Sequence, residues 1–587
     1  MILKKRMTSE YVLVSLVGLG YMLGVLNTYH RFPSIADIYP NLVSIMIAAF
    51  GILYWYLTKS VNQWSLSVLA WTSIFLVILM QPYINVITYT DGMVFNLSVL
   101  LFCISLSLSL ANVKLQNREK LYQILVVFLV LTAILTVITQ IIQYLKLDVP
   151  RSIVFPNFFK TRIGGSLAQP NQAAFTISLG VAGLLYLSSI SQHLTRSLSL
   201  LLPIGFLALG LALTASRTGI ILMLIVLAGF SLLFRISIYK KIAIGGTSIL
   251  LLCIGYICGS ELLTKYNSAA ISSVERISDG TLSLRWYQLQ QAAIMFSDNM
   301  LTGVGWGNLL GASVHYAQEI PWFSATAHTH FFISQIAVET GIFGLLALLP
   351  FAYILVKNFS IKLSNYQAGT YTMLALFIAY SCSEFPLWLP KYLIVFVVLL
   401  SIVDEHSYKL AEKIRPLAKY VLLAFSALLV LGSIYYQFQY RSYSKIHYAV
   451  TEKTFSKEEK IKRLTAQNPV FGFEKFDDLF LFYLMSEDMI GLEYKTELAD
   501  KVLSQSVSYY TMTKAANIYL LAGEKEKALT LYQAACVFSK AHNCESLAQK
   551  MSQNAEVGSE DLQWVNMQFQ KWRKDNPSKT GIAVYSK

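Results

Sequence analysis

Residues 11–435 read as one long apolar run after another, and this pattern excludes a soluble globular fold before any motif is considered. A span needs about 20 apolar residues to cross the hydrocarbon core, somewhat fewer where the bilayer adapts. Such runs fall near 10–27, 41–58, 64–80, 93–111, 121–143, 173–190, 197–213, 219–234, 242–259, 331–356, 368–382, 391–403 and 419–435, the run at 391–403 being the shortest. The expected fold class is an all-α integral membrane protein of about thirteen transmembrane helices. Only 14% of the 587 residues are charged, where a soluble domain carries roughly 25%. Residues 436–587, in contrast, have an ordinary soluble composition. The main boundary is therefore placed near Tyr435, with a polytopic domain at 1–435 and a separate α-helical domain at 436–587. A net charge of +14 would suggest nucleic acid in a soluble chain. Here much of it sits in short loops between apolar runs, where it orients a membrane protein, so nucleic-acid binding is set aside.

The charges test the span count independently. With Lys4, Lys5 and Arg6 inside, alternate loops carry Lys59; Lys114, Arg118 and Lys120; Arg196; Arg235, Lys240 and Lys241; Lys357 and Lys362; then Lys409, Lys413, Arg415 and Lys419. The opposite short loops are nearly bare, one holding Arg31 and the 81–92 loop only Asp91. This alternation follows the positive-inside rule. It puts the N-terminus inside and, with an odd span count, the 260–330 loop and the C-terminal domain outside. The basic start resembles a signal peptide but has no small-residue cleavage site before Asn27 to Arg31, so the first span is expected to be retained. Against the rule, outside segments carry Lys160, Arg162 and Arg217, and the longest loop carries Arg276 and Arg285. Positive charge on that side calls for an anion, either a bound one or headgroup phosphate.

In the long loop, Leu282, Trp286, Leu289, Ala293 and Phe296 recur at helical spacing, which predicts a short helix lying along the interface. Gly303-Val304-Gly305-Trp306-Gly307 lacks the strand–helix setting of a nucleotide loop and reads as a tight turn that lets backbone approach the membrane or a ligand. Lys514 to Met551 holds two amphipathic runs that predict a repeat-like helical hairpin, either partner-binding or a stabilising cap. Cys103, Cys253, Cys258 and Cys382 read as packing residues. Cys536 and Cys544 flank a turn and could staple the hairpin in an oxidising compartment, provided their Cα atoms approach within about 7 Å.

Four clusters fall on the outer side: Arg162 to Asn171, Ser216-Arg217-Thr218-Gly219, Arg285-Trp286-Tyr287 with the glycine turn, and Ala327-His328-Thr329-His330-Phe331-Phe332 leading to Glu339-Thr340-Gly341. They supply permanent cations that grip phosphate oxygens, amide and hydroxyl groups, and histidines able to take a proton near neutral pH. This suits a lipid-linked phosphate or diphosphate donor whose leaving group is stabilised while a hydroxyl is deprotonated. The rival for His328 and His330 is a metal pair; residues i and i+2 share a face only in extended structure, and only His315 and Glu319 lie nearby as further ligands. A structural role stays open for either histidine.

RIGGSLAQPNQAAF (162–175), SRTG (216–219), LRWYQLQQAAIMF with TGVGWGN (284–308), HTHFFISQIAVETGIFG (328–344) and SEFPLWLPKYL (383–393) together resemble the O-antigen ligase superfamily of membrane glycosyltransferases. Within it they are most similar to bacterial PglL-type protein O-oligosaccharyltransferases, which glycosylate pilins and other periplasmic proteins. The resemblance implies a multi-pass protein of the bacterial inner membrane with a periplasmic C-terminal domain. It implies transfer of an assembled glycan from undecaprenyl diphosphate to a Ser or Thr hydroxyl, inverting and without metal or other cofactor. It makes His330 the catalytic base and Arg217 and Arg285 the diphosphate contacts. Arg162, Gln169, Asn171, His328, Glu384 and Trp388 are candidates for substrate binding. The chain departs from the family at Phe331, often Asn, and at Leu389, often Tyr. A bond orienting the histidine, or a tyrosine near the acceptor, would then come from elsewhere, Tyr392 being the guess. An O-antigen ligase or polymerase with a glycan acceptor, or a lipid-linked oligosaccharide transporter, remain the alternatives.

Overall fold

A computed structural model describes residues 8–30, 36–85, 87–156, 161–266, 283–319, 326–360, 362–451, 455–466, 470–538, 541–555 and 559–577. Lys4, Lys5, Arg6, Arg31, Lys160, Arg276 and Leu282, named above, lie outside the described residues. The protein is an all-α integral membrane protein, 77% helical. Its one strand pairing among the described residues joins Gln63–Trp64 to Tyr408–Lys409. Lipid offers backbone groups no water, so a spanning segment must satisfy them internally, which a helix does.

Every one of the thirteen expected runs coincides with helix. In chain order these are α1 (Ser9–Leu26), α2 (Ile38–Thr58), α3 (Leu66–Ile84), α4 (Thr90–Ala111), α5 (Leu115–Tyr144) and α6 (Pro170–Ile190). Next come α7 (Leu194–Ser199) with α8 (Pro203–Leu213), α9 (Arg217–Leu233) and α10 (Ile238–Tyr266). The long loop contributes α11 (Ser283–Asp298) and the single turn α12 (Leu309–Ala312). Then follow α13 (Phe332–Ala347) with α14 (Leu349–Lys357), α15 (Asn365–Ser381), α16 (Pro390–Val403) and α17 (Arg415–Thr451). Among the described residues nine spans are long and apolar enough to cross a membrane, and α13 with α14 would make a tenth as a bent pair. α9 and α16 are apolar but shorter. The shortest expected run thus forms an interior helix: α16 is buried from Lys391 through Val403.

The chain divides into two compact units, Met1–Ile74 with Ser98–Gly280 and Leu348–Arg441, and Phe75–Leu97 with Thr281–Ala347 and Ser442–Lys587. In the first, α1 lies close against α2 because Gly20 and Gly24 leave room for Ser44; a Cβ at Gly20 would stand 2.8 Å from the Ser44 carbonyl oxygen. In the second, α18 (Lys457–Thr465), α19 (Glu474–Leu484), α20 (Leu492–Gln505), α21 (Tyr509–Leu521), α22 (Lys525–Phe538), α23 (Ala541–Ala555) and α24 (Glu560–Asp575) form a helical array. α22 and α23 form the expected hairpin, and the first of its two amphipathic runs is itself split into α21 and α22. Gly523, at φ +77°, ends α21, with Glu524 N–H donating to the Tyr519 carbonyl (2.8 Å) and Gly523 N–H to that of Leu520 (3.1 Å). This Schellman arrangement satisfies carbonyls that the helix end would otherwise orphan. A Cys536–Cys544 disulfide, Cα atoms 4.4 Å apart, ties α22 to α23.

The core of this array also takes in Val314 and Ala317 from the long loop, beside Leu498, Val502, Ala515 and Cys536. Gly311 makes that approach feasible, since a Cβ there would sit 2.4 Å from the Ser504 carbonyl oxygen. Gln505 donates to the Gly307 carbonyl at 2.8 Å.

Candidate active site

In the second unit the site is built around a helix break. α13 carries a non-helical residue, Gly341 (φ 64°, ψ −154°). The backbone groups freed there are taken up by the glycine turn. Val304 N–H donates to the Val338 carbonyl (2.8 Å), Gly305 N–H to that of Glu339 (3.1 Å), and Ile342 N–H to that of Met300 (2.8 Å). Gly303 and Gly341, both at positive φ, are the two points of closest approach: a Cβ on either would lie within 2.6 Å of three backbone atoms of the other segment. The turn expected to approach a ligand or the membrane therefore approaches α13.

Upstream of α13, His330 is held at φ +57°, a left-handed conformation costing a non-glycine residue on the order of 1–3 kcal/mol. Side-chain bonds bracket it. Thr329 N–H donates to Gln335 Oε1 (2.9 Å), and Gln335 Nε2 donates to the Ala327 carbonyl (3.2 Å). On the other flank the Phe331 carbonyl accepts from Thr329 Oγ1 (2.9 Å) and Ser334 Oγ (2.8 Å). These contacts fix the backbone on both sides of the histidine. Burial first, then the neighbouring His330, lower the pKa of His328 to about 4. His328 is thus neutral in ordinary buffers. Among the described residues no three His, Cys, Asp or Glu side chains gather at one point.

Arg285 stands half-buried in the first turn of α11. The helix expected in the long loop is present, and the face it packs is not the apolar stripe. Gln288, Gln291, Ala292 and Met295 are buried, whereas Trp286 is 59% exposed. Apolar side chains beside lipid need no protein cover, whereas amides do. Met295 and Ala292 cluster with Val338 of α13. A small recess lined by Gln288, Gln291, Ser313, Thr326 and Thr329 lies between this helix and the histidine segment.

The first unit brings together three of the quoted segments through Asn171. Its Oδ1 accepts from Arg162 Nη2 (2.7 Å) and Ser216 Oγ (2.9 Å), and its Nδ2 donates to Glu384 Oε1 (2.7 Å). Arg162 Nε also donates to the Thr214 carbonyl at 2.8 Å. Ser216 caps α9, and Gly219 lets that helix close on α6, since a Cβ there would meet Ala174 at 3.0 Å. Arg217 is the first residue of α9. The N-termini of α6 and α9 therefore open side by side next to Arg162 and Arg217, an arrangement that favours an anion. Gln169 caps α6, accepting from Gln172 N–H at 2.7 Å. Trp388 closes the Pro386–Trp388 turn, half-buried. Tyr392, the guess for an acceptor-side tyrosine, is corrected: it is fully buried, with its hydroxyl 3.1 Å from Thr176 Oγ1 and donating to the Gln172 carbonyl. It packs α16 against α6.

Sequence reasoning missed a second buried polar group in this unit. Asp37 accepts from Lys391 Nζ (2.8 Å) and from His30, whose Nε2 lies 2.6 Å from the Ser166 carbonyl oxygen. Burial alone would raise the Asp37 carboxyl, but Lys391 and His30 hold it well below the usual carboxylate range. The available signal was a lysine heading an apolar run, which needs a partner. Gln335 and Glu339 were missed as well. Both lie within the apolar run at 331–356, and their partners are far away in sequence.

Residues 202–349 match the family model described as O-antigen ligase. The matched stretch includes Arg217, Arg285, His328 and His330. No curated protein matches the chain. Over that stretch the chain is similar to the O-antigen ligase family, which supports glycan transfer of that kind.

Proposed function

We propose that the chain is a protein O-oligosaccharyltransferase of the bacterial inner membrane. It would move a preassembled glycan from undecaprenyl diphosphate to a Ser or Thr hydroxyl of a periplasmic protein such as a pilin. The observation that carries this reading is His330, fixed in a strained backbone conformation inside the stretch that matches the O-antigen ligase family. Strain of this kind persists where the surroundings over-determine it, as catalytic sites do. His330 accepts the hydroxyl proton as the acceptor oxygen bonds to the anomeric carbon. The bond from that carbon to the diphosphate oxygen breaks, and the electron pair leaves on the diphosphate. Arg217 and Arg285 hold this developing charge, a contribution of roughly 3–4 kcal/mol per group in comparable sites. Displacement at one face inverts the anomeric centre. Arg162, Gln169, Asn171, Glu384 and Trp388 would line the donor side.

The disulfide in the helical array supports an oxidising, periplasmic location for residues 436–587, with the N-terminus cytoplasmic. A second reading, an O-antigen ligase or polymerase with a glycan acceptor, is supported by the family description itself. Co-expression with a pilin and a glycan pathway, followed by intact-mass spectrometry, separates the two. Glycan-sized mass added to the pilin, and lost in His330→Ala at unchanged protein level, is expected. Unmodified pilin with extended or ligated glycan would favour the second reading, and normal transfer by His330→Ala would remove the base.

A further inference from the structure

We propose that Gln335 and Glu339 are positioning residues that set His330 through a relay of buried hydrogen bonds running from the glycine turn to the histidine segment. The inference rests on His330 acting as the base.

The buried Glu339 carboxyl faces the backbone N–H groups of Gly307 and Leu309, in the turn and just after it, and the Gln335 side chain. Gln335 in turn commits its remaining capacity to the histidine segment. Its oxygen accepts from Thr329 N–H, and its nitrogen donates to the Ala327 carbonyl. A primary amide has two N–H donors and one carbonyl acceptor. Here one donor faces Glu339, the other faces Ala327 and the oxygen accepts from Thr329 N–H, so both donors are engaged. Residues 327 and 329 flank His328 and immediately precede His330. Gln335, Glu339 and Thr329 are each only 3% exposed.

The chemistry of the pair is what makes it informative. A carboxyl and an amide in an apolar helix are expensive, and an apolar pair of similar volume would cost less. What the pair adds is direction. It ties the backbone on one side of a left-handed histidine to a turn some twenty residues earlier in the chain. Displacing a reacting group by as little as about 1 Å can cost on the order of 100-fold in rate, so such a tie acts on turnover before it acts on folding.

The test uses full-length protein in proteoliposomes, with lipid-linked oligosaccharide as donor and an acceptor protein. Gln335→Glu removes the donor to Ala327 and sets two carboxyls against each other. Glu339→Gln turns an N–H toward the Gln335 nitrogen. Each single variant should lower kcat by about 10–100-fold, with donor KM changed by less than about twofold and the pH–rate profile displaced. The double exchange, Gln335→Glu with Glu339→Gln, restores the bonds to Thr329, Gly307 and Leu309 and the bond between the two side chains. It should regain about tenfold over either single variant, and it decides the question even where a single variant folds poorly. Wild-type kcat in both single variants, with His330→Ala inactive, would overturn the relay and leave the base in place. Rate lost only in step with thermal stability, with no recovery in the exchange, would also overturn it. Activity in His330→Ala would remove the reading on which it rests.

Discussion

Gly341→Ala should be among the most damaging single-methyl additions in this protein. Its backbone sits at φ 64°, ψ −154°, a region open essentially to glycine alone and costing another residue about 1–3 kcal/mol. The new methyl would also stand 2.3 Å from the Leu301 oxygen, 2.4 Å from its carbonyl carbon and 2.6 Å from Thr302 N. These are backbone atoms, so relief requires the 300–304 segment to move. That movement puts at risk the 2.8 Å bonds from Ile342 N–H to Met300 and from Val304 N–H to Val338, each worth about 1 kcal/mol net. Together these terms come to about 3–5 kcal/mol, a fall in midpoint on the order of 10 °C for a unit of this size. Gly432→Ala in α17 is the control, because nothing lies within 4 Å of its Cβ position and alanine favours helix. Thermal unfolding of detergent-solubilised protein, followed by size-exclusion fluorescence, compares the two. Equal midpoints for Gly341→Ala and Gly432→Ala would refute the close approach of turn and helix.

Arg217→Lys and Arg285→Lys should each lose most transfer activity despite keeping charge, because a point charge does not reproduce a planar two-bond grip; normal glycosylation of an acceptor in both would make them headgroup anchors. The pKa of His328 is lowered to about 4 in the folded state, against about 6.5 unfolded. The unfolded state therefore binds more protons between these values, and stability falls as pH drops through that window. Wild type should lose midpoint faster than His328→Gln between pH 7 and 5; parallel curves would contradict the burial of His328. Cys536 and Cys544 close a loop of eight residues' separation, worth about 2–3 kcal/mol in the chain-entropy model. Reductant, or Cys536→Ser with Cys544→Ser, should therefore speed proteolysis of the helical array, and identical digestion rates would argue against the crosslink.

The helices were legible because their signal is local: a run of apolar residues of spanning length reads the same in any context. The face of α11 was not. The periodic stripe of Trp286 and Ala293 suggested a helix lying along the interface, but gave no sign that Gln288 and Gln291 are the side chains buried. The glycine turn was recognised as a place of close approach, but its partner, the Val338–Glu339 backbone, lies over thirty residues away and leaves no mark in composition. At the candidate site, the QPN and SRTG segments were recognised, and the structure shows how they meet, through Asn171 and Ser216. Gln169 and Ser216 also serve as helix caps, a role their positions before Pro170 and Arg217 could have announced. The His30–Asp37–Lys391 group was hidden because its members come from segments more than 350 residues apart in the chain.

The placement of Val314 and Ala317 inside the C-terminal helical core bears on how this protein can be inherited in pieces. A crossover at the boundary suggested by composition would deliver a new helical array without the two residues that fill its interior and without the Gly311 that admits them. It would also part Gln505 from the Gly307 carbonyl. Residues 75–97, 281–347 and 442–587 are a single cassette interrupted by other sequence. Whatever the helical array recognises, its specificity can be transplanted only by grafting the long loop with it, and the loop that carries His330 travels along.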